Sequence, residues 1–420
     1  MTVRQSIACA LGAATFALHT AAFADSDKDR ERDRSKDRTV TVDCASGDTI
    51  AKALTKGDDR KSLTILVSGT CSENVVIGRS DIKLAAGTPD ATIIGPDTTL
   101  DAIRVTGSRV TIDGIAVTGG LNGIVAASAA GLIVQNALVQ ATGRTGIVYS
   151  SGSSGIVDTV TSTGNPRDGV SIDSASAVVI NSTLTQNGRF GANASDSASA
   201  RIGIDNLNNP AGNVISGNGG SGINVSYGSG AFIAMNTITG NGTNATPGNP
   251  RFGIGMNSAS ADVIGGNTIS GNAGQGISMR AASLSMGDTN FGFTSVNTIT
   301  GNGNASQPGG VFAFLGSSVN IQNAVISGNN GYGMILSLRS QGQIAGSTIQ
   351  NNVPAGTNPG DGIRLAFGSG LFAATPVGNV SGNSGFGINC TDAESSVVNT
   401  GSLGIGTNGL GGVALSCTGF

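Results

Sequence analysis

The 420-residue chain has no tryptophan, a single histidine, and only 4% aromatic residues. The histidine, His19, falls in an N-terminal leader. Arg4 gives a basic start, Ser6–Leu18 an apolar run, and Ala22-Phe23-Ala24 a small-x-small cleavage signal. The run is too short to cross a bilayer. Residues 1–24 are therefore expected to be a secretory signal peptide, with no membrane span. A chain cut before Asp25 has no histidine, which excludes a Ser-His-Asp triad and histidine metal sites. Lysine is absent after Lys83, so any proton-abstracting base beyond it must be Asp, Glu, Tyr or Arg. Loss of Arg4 leaves 22 of the 23 basic residues against 26 acidic ones, a net charge of −4. Nucleic acid is not an expected partner for such a balance.

Cysteine is scarce as well. Beyond Cys9 in the leader, four remain: Cys44, Cys71, Cys390 and Cys417. Each terminal pair is spaced 27 residues apart. An exported chain with an even cysteine count favours disulfides, and the expected pairs are Cys44–Cys71 and Cys390–Cys417. Two cysteines at each end, without histidine, make a poor metal cluster, so neither metal nor cofactor is expected.

What is present in quantity is glycine, 67 residues of it, in a repeat. Residues 25–38 come first: they hold 12 charged positions in 14 and read as a solvated linker. From residue 39 onward short apolar stretches alternate with Gly/Asn/Ser turns. The clearest unit is Asn267-Thr-Ile-Ser-Gly-Asn272 followed by Gly276-Ile277, with copies at Asn236–Asn241 and Asn297–Asn302. A glycine followed by an aliphatic residue recurs from Gly123-Ile124, Gly146-Ile147 and Gly169-Val170 to Gly412-Val413, with a base period near 23 residues. Longer steps, as at 244–250 and 302–308, are turn insertions.

Each strand is too short to fold alone. Stacked at about 4.8 Å per coil, the copies pair in parallel and bury one aliphatic core, and roughly twelve coils make a rod about 60 Å long. Glycine is expected to supply positive-φ turns. Asn136, Asn181, Asn213, Asn236, Asn267, Asn297, Asn323 and Asn379 are expected to form a hydrogen-bonded ladder. Within Gly47–Leu54, Asp48 is expected to cap a short helix, with Ile50 and Leu54 on one face, that covers the first coil.

The period, the Gly-Ile starts and the Asn-x-Ile-x-x-Asn turns resemble the right-handed parallel β-helix repeats of pectin-lyase-like proteins, over residues 39 to 420. The resemblance implies an all-β, right-handed parallel β-helix solenoid in one domain with end caps. Val42–Ile50 with Ser68-Gly-Thr-Cys71, and Gly387–Cys390 with Ser416-Cys417, resemble the caps of exported bacterial β-helix proteins. Enzymes of that fold use an Asp set with Gly-His-Gly, a calcium-binding carboxylate cluster with a basic residue, or Asp pairs in Gln-containing motifs. None of these patterns occurs here.

Register still points to one face. The residue after each glycine should point inward, so the second and fourth after it point outward. Those rows read Ser171, Asn193, Asn224, Gly255, Ser278 and Asp173, Ser195, Ser226, Asn257, Arg280. Two positions before glycine stand Arg144, Arg167, Arg189 and Arg251. Arginine grips carboxylate or sulfate bidentately, and amides and hydroxyls bond sugar hydroxyls. The candidate ligand-binding set is Arg167, Arg189, Arg251, Asp173, Asn193, Asn224, Asn257 and Arg280, and the expected partner is a polysaccharide or other cell-surface polymer, bound outside the cytoplasm. Against this stands the bland reading, in which polar rows merely keep an exposed sheet soluble and arginines pair with neighbours such as Asp168. Phe190, Phe252, Tyr332 and Phe386, each just before a glycine, read as a turn stack or as sugar platforms. No catalytic residue is assigned. The alternative is a polysaccharide lyase, hydrolase or epimerase using Arg280 as base, or Asp173 with Asp196 as an acid pair.

Overall fold

A computed structural model describes residues 38–56, 61–244, 251–287, 292–399 and 401–419. The expected leader, the linker except for Arg38, and most of the 244–250 insertion lie outside these residues. Within one repeat the chain runs through strands Ile124–Ala127, Leu132–Gln135 and Leu138–Gln140, then starts again at Ile147–Ser150. Each strand pairs in parallel with its own copy one repeat later, Ile124 opposite Ile147 and Leu138 opposite Thr161. Three parallel sheets of 14, 15 and 14 strands result among the described residues. They are called first, second and third here, in the order of the repeat just described. The product is an all-β parallel β-helix.

The first sheet has two more strands than the glycine count of about twelve. They are Val75–Ile77 and Ile103–Val105, preceded by Asn74 and Ala102 instead of glycine. Arg38, placed in the linker by composition, already belongs to the first strand, Arg38–Asp43.

Alternation sets the core. Ile254 and Met256, then Ile277 and Met279 one coil on, are buried on the inner side of the first sheet. Each buried aliphatic of this size contributes about 2 kcal/mol of transfer free energy. Tyr149 is the largest fully buried side chain, and its hydroxyl donates to the carbonyls of Leu132 and Ile156 at 3.0 and 3.1 Å. Gly155 leaves room for that ring, since a Cβ there would sit 2.7 Å from it.

Glycine does less turning than its abundance suggests. The turn after the first sheet uses Ser128, Ser151, Ser174, Tyr227, Ser258, Leu315 and Phe367, all non-glycine residues at φ between 50 and 56°. The Gly-Asn turns after the third sheet do use positive-φ glycine, as at Gly240, Gly271 and Gly301. The glycines that open first-sheet strands, such as Gly253, have another reason: a Cβ would collide with the next coil.

Asparagine forms two ladders. Asn213, Asn236, Asn267 and Asn297 make the shorter one, each side-chain amide donating to the next Oδ1 at 2.9, 3.1 and 2.9 Å. Asn136, Asn181 and Asn323 stand one residue earlier at positive φ, and Asn379 stands in a strand, so these four miss it. The longer ladder follows the third sheet: Asn165, Asn187, Asn218, Asn241, Asn272, Asn302, Asn329, Asn352, Asn383 and Asn408.

Both ends are closed. Helix Ile50–Leu54 buries Ile50 and Ala53. Thr49, not Asp48, caps it, and the Glu73 carboxylate accepts from the Ile50 and Ala51 amides at 2.7 and 3.1 Å. Asp48 lies one residue too early to reach the first turn. Cys44–Cys71 and Cys390–Cys417 are disulfides with Cα–Cα distances of 5.1 and 4.9 Å.

Candidate functional site

Parallel register sets the first sheet's outward residues in straight files. Ser171, Asn193, Asn224 and Gly255 lie opposite one another on successive coils, as do Asp173 and Ser195. Their side chains are bonded into a floor. Asn193 Nδ2 donates to Ser171 Oγ at 3.0 Å and to Asp173 Oδ1 at 3.3 Å. Ser171 Oγ donates to Asp173 Oδ2 at 3.0 Å, and Ser195 Oγ donates to Asp173 Oδ1. Asn224 Nδ2 donates to Asn193 Oδ1 at 2.8 Å. Both oxygens of Asp173 are therefore engaged.

The turn entering each first-sheet strand raises one wall. The backbones of Arg144, Arg167 and Arg189 are stacked by amide-to-carbonyl bonds of 2.8 Å, so their side chains leave the same turn on adjacent coils. Arg189 forks onto Asp168, with Nε to Oδ1 at 2.8 Å and Nη2 to Oδ2 at 2.5 Å. Its Cζ stands 4.6 Å from the centre of the Phe190 ring. Burial disfavours the Arg189 charge, but the Asp168 bonds outweigh it and lift the guanidinium above its ordinary value. Arg167 differs. Among the described residues its guanidinium has no ion pair. Burial, and then the nearby charge of Arg189, draw it below its ordinary value. It remains cationic, half-buried beside another cation and only partly offset by the charges of Asp168 and Asp173, and an incoming anion would offset the repulsion from Arg189.

Floor and wall enclose an open groove of about 540 Å³. Six of the eight residues picked out by register line it: Arg167, Asp173, Arg189, Asn193, Asn224 and Asn257. Arg251 does not line it. Arg280 stands exposed on the next coil beside Asn257 and is not part of the lining either. Asp196 and Tyr227 join the groove from the opposite rim. Tyr227 escaped the register argument because it lies one residue past the strand Ile223–Ser226, in the turn. The signal available in the sequence was a tyrosine at a turn position occupied by serine in the coils of Ser174 and Ser258; in the structure it sits 62% exposed at positive φ.

Among the described residues no group of three or more His, Cys, Asp or Glu is placed to hold a metal ion. No helix among them is long and apolar enough to cross a membrane.

One carboxylate on a later coil is fully buried. Burial pushes Asp361 above the usual carboxylate range, against bonds from Asn389 and the Phe386 amide and the charge of Arg364. Its folded-state value exceeds the unfolded one. Its contribution to stability is therefore present below the ordinary value and is lost as pH rises through the folded value. Asp361→Asn is expected to become relatively more stable than the parent between about pH 4 and pH 7. Urea midpoints at the two pH values check this, and an equal offset at both would contradict it.

A family model described as the right handed beta helix region matches residues 91–209 and 168–291. No curated protein sequence matches the chain. Among solved structures the chain is similar to the A-module of the Azotobacter vinelandii mannuronan C-5 epimerase AlgE4, at 16% identity over 91% of this chain and 96% of that one, TM-score 0.46. It is similar to the periplasmic alginate epimerase AlgG, at 11% identity over 90% and 84%, TM-score 0.43. It is also similar to the pectate lyase Pel9A, at 14% identity over 69% and 78%, TM-score 0.37. These likenesses carry no argument about activity.

Proposed function

The chain being a right-handed parallel β-helix protein, we propose that its first sheet binds an acidic polysaccharide in the groove beside Arg167, without cleaving it. The carrying observation is the half-buried Arg167 guanidinium, without an ion pair among the described residues and lining the same groove as a hydrogen-bonded floor of amides and hydroxyls. Sugar hydroxyls suit that floor, and a carboxylate or sulfate suits the guanidinium. Two arginines line the groove, Arg167 and Arg189, the second already held by Asp168, which suits contact with one or two carboxylates along a sugar chain. They do not match nucleic acid, with a phosphate about every 3.4 Å of strand. Asp173 is a poor candidate for proton abstraction because its oxygens already accept from Ser171, Asn193 and Ser195.

Binding is tested by titrating the protein with polygalacturonate, alginate and neutral dextran. The acidic polymers are expected to bind, with affinity falling as salt is added. Arg167→Ala is expected to weaken binding about tenfold, the loss of one charge-assisted contact. Equal binding of dextran, or an unaffected Arg167→Ala protein, would remove the groove as the site. New reducing or unsaturated ends would remove the non-catalytic part of the reading.

A further inference from the structure

Beyond the coil of Arg280 the outward file of the first sheet changes character. It continues as Phe312, Ile335, Arg364 and Asn389 on successive coils. Phe312 is held by stacking on Phe314, with ring centres 4.9 Å apart and planes within 11°, and together with Ile335 on the next coil it makes the floor apolar. Over it opens a second hollow of about 640 Å³, lined among others by Gln275, Phe312, Tyr332, Ile335, Arg364 and Phe367.

Three features make this hollow a built site. First, Arg364 is oriented but has no carboxylate. Its Cζ stands 5.0 Å from the centre of the Tyr332 ring, and its Nη1 donates to the Tyr332 hydroxyl, which in turn donates to Asn358. The nearby carboxylates are committed elsewhere. Asp361 accepts from the Phe386 amide and Asn389 at 2.8 and 2.9 Å, and Asp392 accepts from the amides of Phe367, Gly368, Glu394 and Ser395. No ion pair to Arg364 exists among the described residues. Second, Gln275 is 6% exposed and its Oε1 has no hydrogen-bond partner, a buried acceptor at the edge of the hollow. Third, Phe367 stands 64% exposed at φ +55°, a conformation costly for a bulky residue.

We infer that this hollow is a second ligand site, for a six-membered ring that carries a carboxylate. One face of the ring lies on Phe312 and Ile335, with Phe367 at the rim. The carboxylate pairs with Arg364, and a side-chain movement of Gln275 brings its carbonyl to a ligand hydroxyl. A hexuronate and a non-sugar ring acid share this chemistry. The inference does not depend on the Arg167 groove.

The chain supplies its own reporter, having three tyrosines and no tryptophan. Tyr149 is in the core, Tyr227 lines the first groove and Tyr332 lines the second hollow. In Tyr227→Phe protein, tyrosine fluorescence reports on the second hollow. The probes are digalacturonate and cyclohexanecarboxylate, each beside an uncharged counterpart, methyl galactoside and cyclohexanemethanol. A saturable change is expected with one or both acids, at least tenfold weaker with the uncharged molecules. Adding Arg364→Gln is expected to weaken it at least tenfold, and adding Phe367→Ala to weaken it with the unfolding midpoint unchanged. A response to digalacturonate alone assigns the site to a sugar acid, and a response to cyclohexanecarboxylate alone to a non-sugar acid. No response to either, or equal affinity after Arg364→Gln, overturns the inference. An Arg167→Ala protein that still responds here separates this result from failure of the first groove.

Discussion

Replacing Asn272 with alanine is expected to destabilise the solenoid by about 3 kcal/mol, from one stranded backbone amide at roughly 1–3 kcal/mol and the loss of the side-chain ladder bonds on either side. Asn272 is 1% exposed. Its Nδ2 donates to the Ile238 carbonyl at 3.1 Å and to Asn302 Oδ1 at 2.9 Å. Its Oδ1 accepts from the Asn241 amide at 3.0 Å and from Asn241 Nδ2 at 2.9 Å. After substitution Asn302 Oδ1 keeps the Asn272 backbone amide, and Asn241 Nδ2 keeps the Ile215 carbonyl. The Asn241 amide is left without its partner, out of reach of water, while the Ile238 carbonyl loses the side-chain donor but stays within the paired strands of the third sheet. The urea midpoint measures the loss. A shift worth less than about 1 kcal/mol would mean that the ladder is decoration on a fold held by its aliphatic core.

Gly253→Ala is expected to destabilise the chain by about 3 kcal/mol, at the upper end for overpacking because backbone is among the atoms struck. A Cβ on Gly253 would lie 2.4 Å from Ile269 Cγ2, 2.6 Å from the Gly276 carbonyl oxygen and 2.9 Å from Asn272 Nδ2. Easing those contacts means prising the coil from its neighbour or breaking the ladder. Gly152→Ala is the control: Gly152 has open space around it, so only its positive φ opposes a side chain. Its cost is expected near 1 kcal/mol. Equal costs at the two positions would show that φ, not space, selects glycine before the first-sheet strands.

The repeat made the architecture readable, because both glycine and asparagine answer to the stacking itself. Gly253, Ile254 and Asn272 must each meet their copies one coil away, and that demand prints a period on the sequence. Where a position has no such partner the reading weakens. A count of glycines passes over the opening coils at Val75 and Ile103, where Asn74 and Ala102 stand in glycine's place, although the apolar run Asn74–Ile77 already reads as the start of a coil. The longer ladder is marked in the sequence only by its trailing asparagine, in the Gly-Asn pairs that close third-sheet strands at 218, 241, 272, 302, 329 and 383. The leading asparagine opens the repeated phrase, but it is the trailing one that stacks along most of the solenoid. For the groove, register alone brought together Asp173, Asn193, Asn224 and Asn257, since outward residues of parallel strands fall in file. It did not reach Tyr227, which leaves the file at the turn. Nor did it separate Arg167 from Arg189, whose pairing with Asp168 depends on side-chain geometry.

The central claim, an acidic polymer lying along the first sheet, is tested most directly by hydroxyl-radical footprinting with and without polygalacturonate. Tyr227 on the groove rim is 62% exposed, while Phe372 on the second sheet and Leu207 in a turn insertion are 43% and 81% exposed. The account predicts that bound polymer shields Tyr227 and leaves Phe372 and Leu207 as reactive as before. Shielding of Phe372 or Leu207 with Tyr227 unchanged would place the polymer on another face and contradict it.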